Sequence, residues 1–333
     1  MKVAIAHGGV KSVRAIELAL TQNGEHQLLW SASGGEEAIE KAASQPPQLL
    51  LVDVTIDDPG CVEITRRVMA LGRCAVLLVV DKPQTRMDVI YEAMGLGALD
   101  VVVCPKLRDK NQLSGDDVLR GKVQTVARIL GVSPRAASNK LVPRKGRGPK
   151  LVAIGASTGG PNALAQILAA LPRDFDAALL IVQHVDSEFS KGLASWLQQG
   201  TSLRVELAAS GVFPQPGVAL IAGTNDHMIM CQDRSLGYTS EPRNVPYRPS
   251  VDALFGSLAE HWPVPAVAVL LTGMGRDGAK GMKRLHDAGW HTIAQDQASS
   301  VVFGMPKAAI EQGAATRVLS LSEIAAAIVE ACG

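Results

Sequence analysis

Two successive α/β units, each doubly wound around a mostly parallel sheet, are what this 333-residue sequence predicts. Three observations lead there. Short apolar runs alternate with longer amphipathic stretches through both halves, one basic and proline-rich segment interrupts the alternation, and chemically able polar residues follow the apolar runs of the second half. Such alternation implies parallel strands covered on both faces by helices.

In the first half, "KVAIA", "HQLLWSA", "QLLLVDV", "CAVLLVV" and "ALDVVVC" read as strands with helical patterns between them. Near residue 130 the pattern stops. There "SPRAASNKLVPRKGRGPK" holds six basic residues, three prolines and no acid, a composition that cannot bury a core. Basic runs without interleaved aromatics usually only track solvent, so a solvated linker is favoured over a nucleic-acid-binding arm. A second series opens at Leu151 with "KLVAIGAS", "AALLIVQH", "GVALIAG", "AVAVLLTG" and "WHTIAQD". The expected organisation is a domain over 1–125, a basic linker over 126–149 and a second domain over 150–333.

Composition narrows the function classes. With 33 Lys and Arg against 32 Asp and Glu, and 47% hydrophobic residues, the chain reads as globular and without electrostatic preference for nucleic acid. No apolar run approaches the roughly 20 residues of a membrane span, and "MKVAIAHGG" lacks a signal-peptide layout, so no membrane insertion and a cytoplasmic location are expected. The five cysteines show no CxxC spacing, which suggests neither zinc nor a disulfide framework.

Open α/β sheets bind ligands at the carboxyl ends of their strands. Three such ends in the second half carry Ser157, His184 and, just beyond "VAVLLTGMG", Asp277. A hydroxyl is a poor nucleophile until an imidazole takes its proton, and a carboxylate fixes the tautomer of that imidazole and stabilises the cation that forms. Ser157 also satisfies G-x-S-x-G, whose glycines permit a sharp strand-to-helix turn, and the following helix offers N–H groups for an oxyanion. The chain order Ser, His, Asp differs from the α/β-hydrolase order, so that likeness is local. Each residue has a plainer reading as helix cap, hydrogen-bonded histidine or turn former. Their common sheet edge favours the catalytic one.

Two nucleotide-binding patterns compete. "GASTGGP" lacks the lysine of a phosphate-binding loop, since Pro161 follows Gly160. Gly273, Gly275 and Gly278 spell G-x-G-x-x-G after an apolar strand, with Asp296 at the distance of a ribose-binding acid. Asp277 argues against a pyrophosphate there. Two like charges at 4 Å repel by roughly 4 kcal/mol at an effective dielectric constant of about 20, more than the ~0.3–2 kcal/mol a helix N-terminus contributes to an anion.

The blocks "IGASTGGPNAL", "LLIVQH", "RPSVDALF", "LLTGMGRDGAKGM" and "AQDQASSVVFGMP" resemble, in order, the signature blocks of the chemotaxis-type receptor protein-glutamate methylesterases, response regulators with a receiver joined to an esterase domain. The resemblance implies that Ser157 is the nucleophile, His184 the general base and Asp277 the orienting acid. The implied reaction is hydrolysis of glutamate γ-methyl esters on the cytoplasmic helices of methyl-accepting chemoreceptors, with glutamine deamidation as in some members, and no cofactor. Thr158 and Met274 are candidates to offer oxyanion N–H groups, while Phe303, Gly304 and Met305 are expected at the cleft rim. Arg248 is expected either to meet acidic receptor residues or to form a structural salt bridge. Tyr247 stands where the family usually carries histidine. The alternative is a non-catalytic scaffold that docks receptors or a kinase.

The first half resembles a flavodoxin-like receiver, with Asp53 at the phosphoacceptor position after the third strand. Phosphoryl transfer there needs Mg²⁺ held by an acidic pair, with a hydroxyl and a lysine to neutralise the phosphate. His7 and Gly8 stand in place of the acidic pair, Val80 in place of the hydroxyl and Cys104 in place of the lysine, with Lys106 two residues late. Weak Mg²⁺ binding and poor phosphate acceptance are expected; modification of Asp53 by a cognate histidine kinase stays open, because the acceptor is present. The resemblance also implies that the receiver packs over the cleft and gates it.

Overall fold

The computed structural model describes residues 1–21, 26–82, 85–107, 113–129 and 150–333. They fall into two compact units, Met1–Ser133 and Pro134–Gly333. No helix among the described residues is long and apolar enough to cross a membrane.

The first unit alternates β1 (Lys2–Ala6), α1 (Val10–Thr21), β2 (Gln27–Ala32), α2 (Gly35–Ser44), β3 (Leu49–Asp53), α3 (Cys61–Ala70), β4 (Ala75–Val80), α4 (Met87–Gly95) and β5 (Val101–Val103). A short antiparallel pair, β6 (Lys106–Leu107) and β7 (Leu113–Ser114), precedes α5 (Asp116–Ile129). The five main strands are parallel in the order β2-β1-β3-β4-β5, which is the flavodoxin-like order with its switch point between β1 and β3. Every residue of β3 is buried, as a central parallel strand requires. Residues 126–129, expected in the linker, form the last turn of α5. Asp116 and Asp117 favour the helix N-terminus, and its apolar face (Leu119, Val123, Val126) continues into the core past position 125. Residues 130–149 of the expected linker lie outside the described residues.

The second unit runs β8 (Leu151–Ala156), α6 (Gly160–Ala170), β9 (Ala178–Gln183), α7 (Ser187–Gln199), β10 (Arg204–Leu207) and β11 (Val218–Ile221). A hairpin of β12 (His227–Met230) and β13 (Leu236–Thr239) follows, then α8 (Val251–His261), β14 (Val267–Leu270), α9 (Ala279–Asp287), β15 (His291–Gln295), α10 (Met305–Glu311), β16 (Arg317–Leu319) and α11 (Leu321–Cys332). Its seven-stranded sheet is wholly parallel in the order β10-β11-β9-β8-β14-β15-β16. The chain leaves β8 toward β9 and later returns to β8's other side as β14. That reversal opens a crevice at the carboxyl ends of β8 and β14, where α/β sheets bind ligands.

Helices α8 and α9 pack together against the sheet, with Leu254, Phe255, Met282 and Leu285 in one buried cluster with Ala153 and Leu270. Their N-termini are locked reciprocally. Asp277, in the loop before α9, accepts the N–H groups of Val251 and Asp252 at 2.6 and 3.1 Å in the first turn of α8. Asp252 in turn accepts the N–H of Gly281, in the first turn of α9, at 2.7 Å. Each carboxylate thus satisfies donors that the other helix cannot pair internally.

The arrangement perturbs Asp252. Burial pushes its carboxyl up to about 6, against the pull of the Gly281 N–H and with the Asp277 charge adding to the rise. An acid raised in the folded state contributes stability that is complete below its unfolded value near 4 and is lost as pH rises through about 6. Asp252→Asn removes the ionisation and keeps an oxygen for Gly281. We expect the variant to gain about 1–2 kcal/mol on the wild type at pH 8 and little at pH 4. The check is the difference in thermal midpoints across that range; a constant offset would contradict the assignment.

Candidate active site

Ser157 is the first residue after β8, and its backbone is held on three sides. Its N–H donates to Thr272 O at 3.0 Å, and its carbonyl accepts from Gly160 N and Gln183 Nε2, both at 2.8 Å. The two glycines of G-x-S-x-G do different work. Gly159 takes φ +78° at the start of α6, a conformation that disfavours a Cβ. Gly155 lies inside β8, where a Cβ would stand 2.3 Å from Val251 Cγ1. It therefore serves close packing of α8 on the sheet and not the turn.

His184 follows β9 directly, and its N–H donates to Ala156 O at 2.9 Å. Because Ala156 pairs with Gln183, Ser157 and His184 are neighbours across adjacent strand ends, which run about 4.8 Å apart. His184 Nε2 meets Asp277 Oδ2 at 2.7 Å, with both side chains almost fully buried. With the carboxylate accepting, the neutral ring carries its proton on Nε2 and keeps a lone pair on Nδ1. That Nδ1 is buried without a hydrogen-bond partner among the described residues. The structure thus brings histidine and aspartate into contact and leaves the serine–histidine bond unmade, as is common in free enzymes whose hydrogen bonds tighten only on binding.

Asp277 has four partners: His184, the Ser250 hydroxyl at 2.8 Å, and the N–H groups of Val251 and Asp252. Burial alone would raise its carboxyl, but the hydrogen bond and charge of His184, with those from Ser250 and Val251, hold it below the usual carboxylate range. It stays an anion facing the imidazole.

The candidate oxyanion donors divide into two groups. In the first turn of α6 the Gly160 N–H goes to Ser157 O, Pro161 has none, and the Ala163 N–H goes to Gly159 O, so these three positions offer no free donor. The N–H groups of Thr158 and Met274 meet no acceptor among the described residues. Thr158 is buried beside Ser157, and Met274 lies in the loop after β14.

The rim follows from the same loop. Gly273 bridges to Phe303, and its carbonyl accepts the N–H groups of Gly304 and Met305 at 3.1 and 2.9 Å. A Cβ on Gly273 would meet Met305 Sδ at 2.3 Å and Ser157 Cβ at 2.7 Å. Beside the loop, Gly275, Arg276, Gly304, Lys307, Ala308 and Glu311 line a shallow depression of about 240 Å³. The glycines that mimic a dinucleotide fingerprint are therefore absorbed by packing, and Asp296 is occupied by Ser299, which donates to it through N–H and hydroxyl at 2.9 and 2.7 Å.

Sequence reasoning overlooked Ser250, Gln183 and His227. Ser250 caps α8, accepting from Ala253 N at 3.3 Å while donating to Asp277; a serine just before the apolar "VDALF" was the available signal. Gln183 and the fully buried His227 left none, because the contacts that tie them to the site, to Ser157 O, Pro242 O and Ser250 N, are with backbone atoms remote in sequence. Arg248 makes no ion pair among the described residues; its Nη2 donates to the Ser240 carbonyl.

In the first unit, Asp53 ends β3 nearly buried, and its Oδ1 accepts the N–H and hydroxyl of Thr55 at 2.8 and 2.7 Å. β1 pairs with β3 through Ala6 and Val52, which brings His7 and Gly8 to Asp53's edge. Gly8 contributes no side chain and lies close to the Thr55 carbonyl. Val80 is fully buried, Cys104 is buried, and Lys106 is exposed at the start of β6. Among the described residues no three His, Cys, Asp or Glu side chains converge. One carboxylate, with a histidine and a glycine at the positions of the acidic pair, does not fit Mg²⁺, which demands near-octahedral oxygen ligands.

Residues 152–328 match the CheB methylesterase family. The chain is 46% identical over 326 residues to protein-glutamate methylesterase/protein-glutamine glutaminase 2 of Burkholderia orbicola, covering 98% of this chain and 97% of that one. It is 44% identical over 332 residues to protein-glutamate methylesterase/protein-glutamine glutaminase 3 of Pseudomonas aeruginosa, covering 99% of each. Among solved structures, the CheB methylesterase catalytic domain of Thermotoga maritima superposes with a TM-score of 0.52 at 37% identity, covering 55% of this chain and 98% of that one. Sequence blocks, sheet topology and full-length likeness agree: the chain belongs to the CheB methylesterase family.

Proposed function

We propose that this protein hydrolyses glutamate γ-methyl esters on methyl-accepting chemoreceptors, and deamidates glutamine there, through Ser157, His184 and Asp277. The observation that carries the reading is the buried His184–Asp277 contact at 2.7 Å, with the unpartnered Nδ1 one strand away from Ser157. Nδ1 takes the serine proton as Oγ attacks the γ-carbonyl carbon. The Thr158 and Met274 N–H groups receive the oxyanion. Collapse expels methanol, or ammonia from glutamine, with the proton returned from the imidazolium. Water, deprotonated by the same nitrogen, then releases glutamate from the acyl-enzyme. No step calls for a cofactor. A receptor's cytoplasmic helices as substrate imply a cytoplasmic location.

Regulation by the first unit belongs to the same reading, supported by full-length likeness to the relatives. A sensor histidine kinase is the proposed partner of Asp53, whose own site accepts phosphate poorly without a metal-binding acidic pair. Incubation with Mg²⁺ and acetyl phosphate is expected to label Asp53 slowly or not at all; ready labelling would overturn this part.

For the chemistry, the measurement is methanol release from methylated receptor. Ser157→Ala is expected to lower it by roughly 10³- to 10⁶-fold. Asp277→Asn is expected to lower it by about 10²- to 10⁴-fold and also to cost about 1–2 kcal/mol of stability, because the anionic cap of α8 is lost. Unchanged release from Ser157→Ala would refute the nucleophile, and no release from the unmodified protein would favour a docking scaffold.

A further inference from the structure

We infer that Tyr247 is a positioning residue for this reaction, its ring held flat against His184 so that the imidazole stays aligned and the imidazolium is favoured when it forms. The inference rests on the proposed role of His184 as base. The two ring centroids are 4.4 Å apart and the planes differ by 5°, an offset stack and not a chance edge contact. An imidazole exchanges protons in its own plane. Here one edge, Nε2, is on Asp277 and the other, Nδ1, is bare. A ring on the face therefore restrains rotation and excludes water without blocking either proton route.

Two further features show that the contact is built. Gly275, at φ +88°, has no side chain where a Cβ would stand 2.9 Å from Tyr247 Oη and 3.3 Å from its Cε2. Any larger residue there would displace the ring. The loop that carries Tyr247 is also pinned at both ends by one buried side chain. His227 Nε2 lies 3.1 Å from the Pro242 carbonyl, while Ser250 N–H donates to His227 Nδ1 at 3.0 Å. Nδ1 accepts, so Nε2 carries the proton and donates to Pro242. Tyr247 hangs between these anchors, and the Arg248–Ser240 bond shortens the span further.

An aromatic face attracts a cation, more strongly where water is excluded, and the His184 side chain is only 7% exposed. Among the described residues, the charged or titratable groups facing this imidazole are Asp277 on Nε2 and Tyr247 on the face, with Asp252 behind Asp277. Tyr247→Leu leaves both carboxylates in place. In the full-length chain with methylated receptor, it is expected to lower kcat about 3- to 30-fold with a smaller change in KM. It should also displace the acid limb of kcat/KM to lower pH, because the imidazolium loses the aromatic face that attracts it. Tyr247→Phe keeps the stack and is expected to stay within about twofold of wild type at the same limb.

Equal kcat and an unmoved limb in Tyr247→Leu would overturn the inference, as would a defect in Tyr247→Phe as large as that in Tyr247→Leu. Should Tyr247→Leu fail to fold, proton NMR decides: the His184 ring protons should be shifted upfield by the tyrosine ring current in wild type and Tyr247→Phe, and absence of that shift overturns the stack. Full activity in Ser157→Ala would instead refute the triad reading. Loss in Ser157→Ala together with an intact Tyr247→Leu would refute only this inference.

Discussion

The second unit depends on one buried anion. Asp277 lies where an unpartnered carboxylate would protonate or unfold its surroundings, and it is kept charged by a helix N-terminus, a hydroxyl and an imidazole. Those partners fix much else. Helix α8 must begin at Val251, because its first N–H groups are the donors. Ser250 must precede it, since one hydroxyl both caps the helix and donates to the carboxylate. The loop after β14 must curl toward α8 before entering α9. The acid proposed to orient the base and a helix cap are thus the same group, and the folding energy of α8 helps hold the His184–Asp277 contact in place.

The same anion decides between two readings of one glycine pattern. G-x-G-x-x-G arises wherever a strand turns into a helix while its backbone approaches something closely, and a pyrophosphate is only one such neighbour. Here the neighbours are protein. Gly273 lies against Ser157 Cβ and Met305, Gly275 against the Tyr247 ring, and Gly278, at φ +85°, against Val251 and Leu270. Asp277 stands among these glycines, yet its carboxylate is spent on α8 and its charge is matched by donors. The glycine spacing alone could not separate the two cases; the charge between the glycines could.

What the sequence disclosed follows from how burial writes itself into composition. Central strands are buried on both faces and appear as unbroken apolar runs, so β1, β3, β4, β8, β9, β11, β14 and β15 stood out, and the first sheet's edges β2 and β5 were apolar enough to stand out with them. The edge strands β10 and β16 did not: "RVEL" and "RVL" carry charge, as exposed edges do. The hairpin of β12 and β13 lies outside the main sheet and lacks its rhythm. Ser157, His184 and Asp277 could be found because strand ends point to one edge in any parallel sheet. Whether the α6 N–H groups were open could not, since that depends on Gly160 bonding back to Ser157. The stack of Tyr247 on His184 was equally hidden, because Tyr247 lies on a loop, remote in sequence from His184, whose ends are held by His227.

The first unit makes the complementary point about what a fold retains. Its order of five parallel strands is specified by apolar residues such as Val3, Ile5, Leu49, Leu51 and Leu77, all buried in one cluster. None of the positions that would hold a metal or read a phosphate contributes to that core except by being small or apolar. His7, Gly8, Val80 and Cys104 can therefore stand at the edge without loss of the sheet, and Val80 and Cys104 are themselves buried there. Asp53 has a local reason to remain. With its Oδ1 taken by the N–H and hydroxyl of Thr55 two residues on, it closes the turn that leaves β3. A carboxylate with that structural duty persists whether or not it receives a phosphate, so its presence alone says little about phosphorylation, and the residues around it say more.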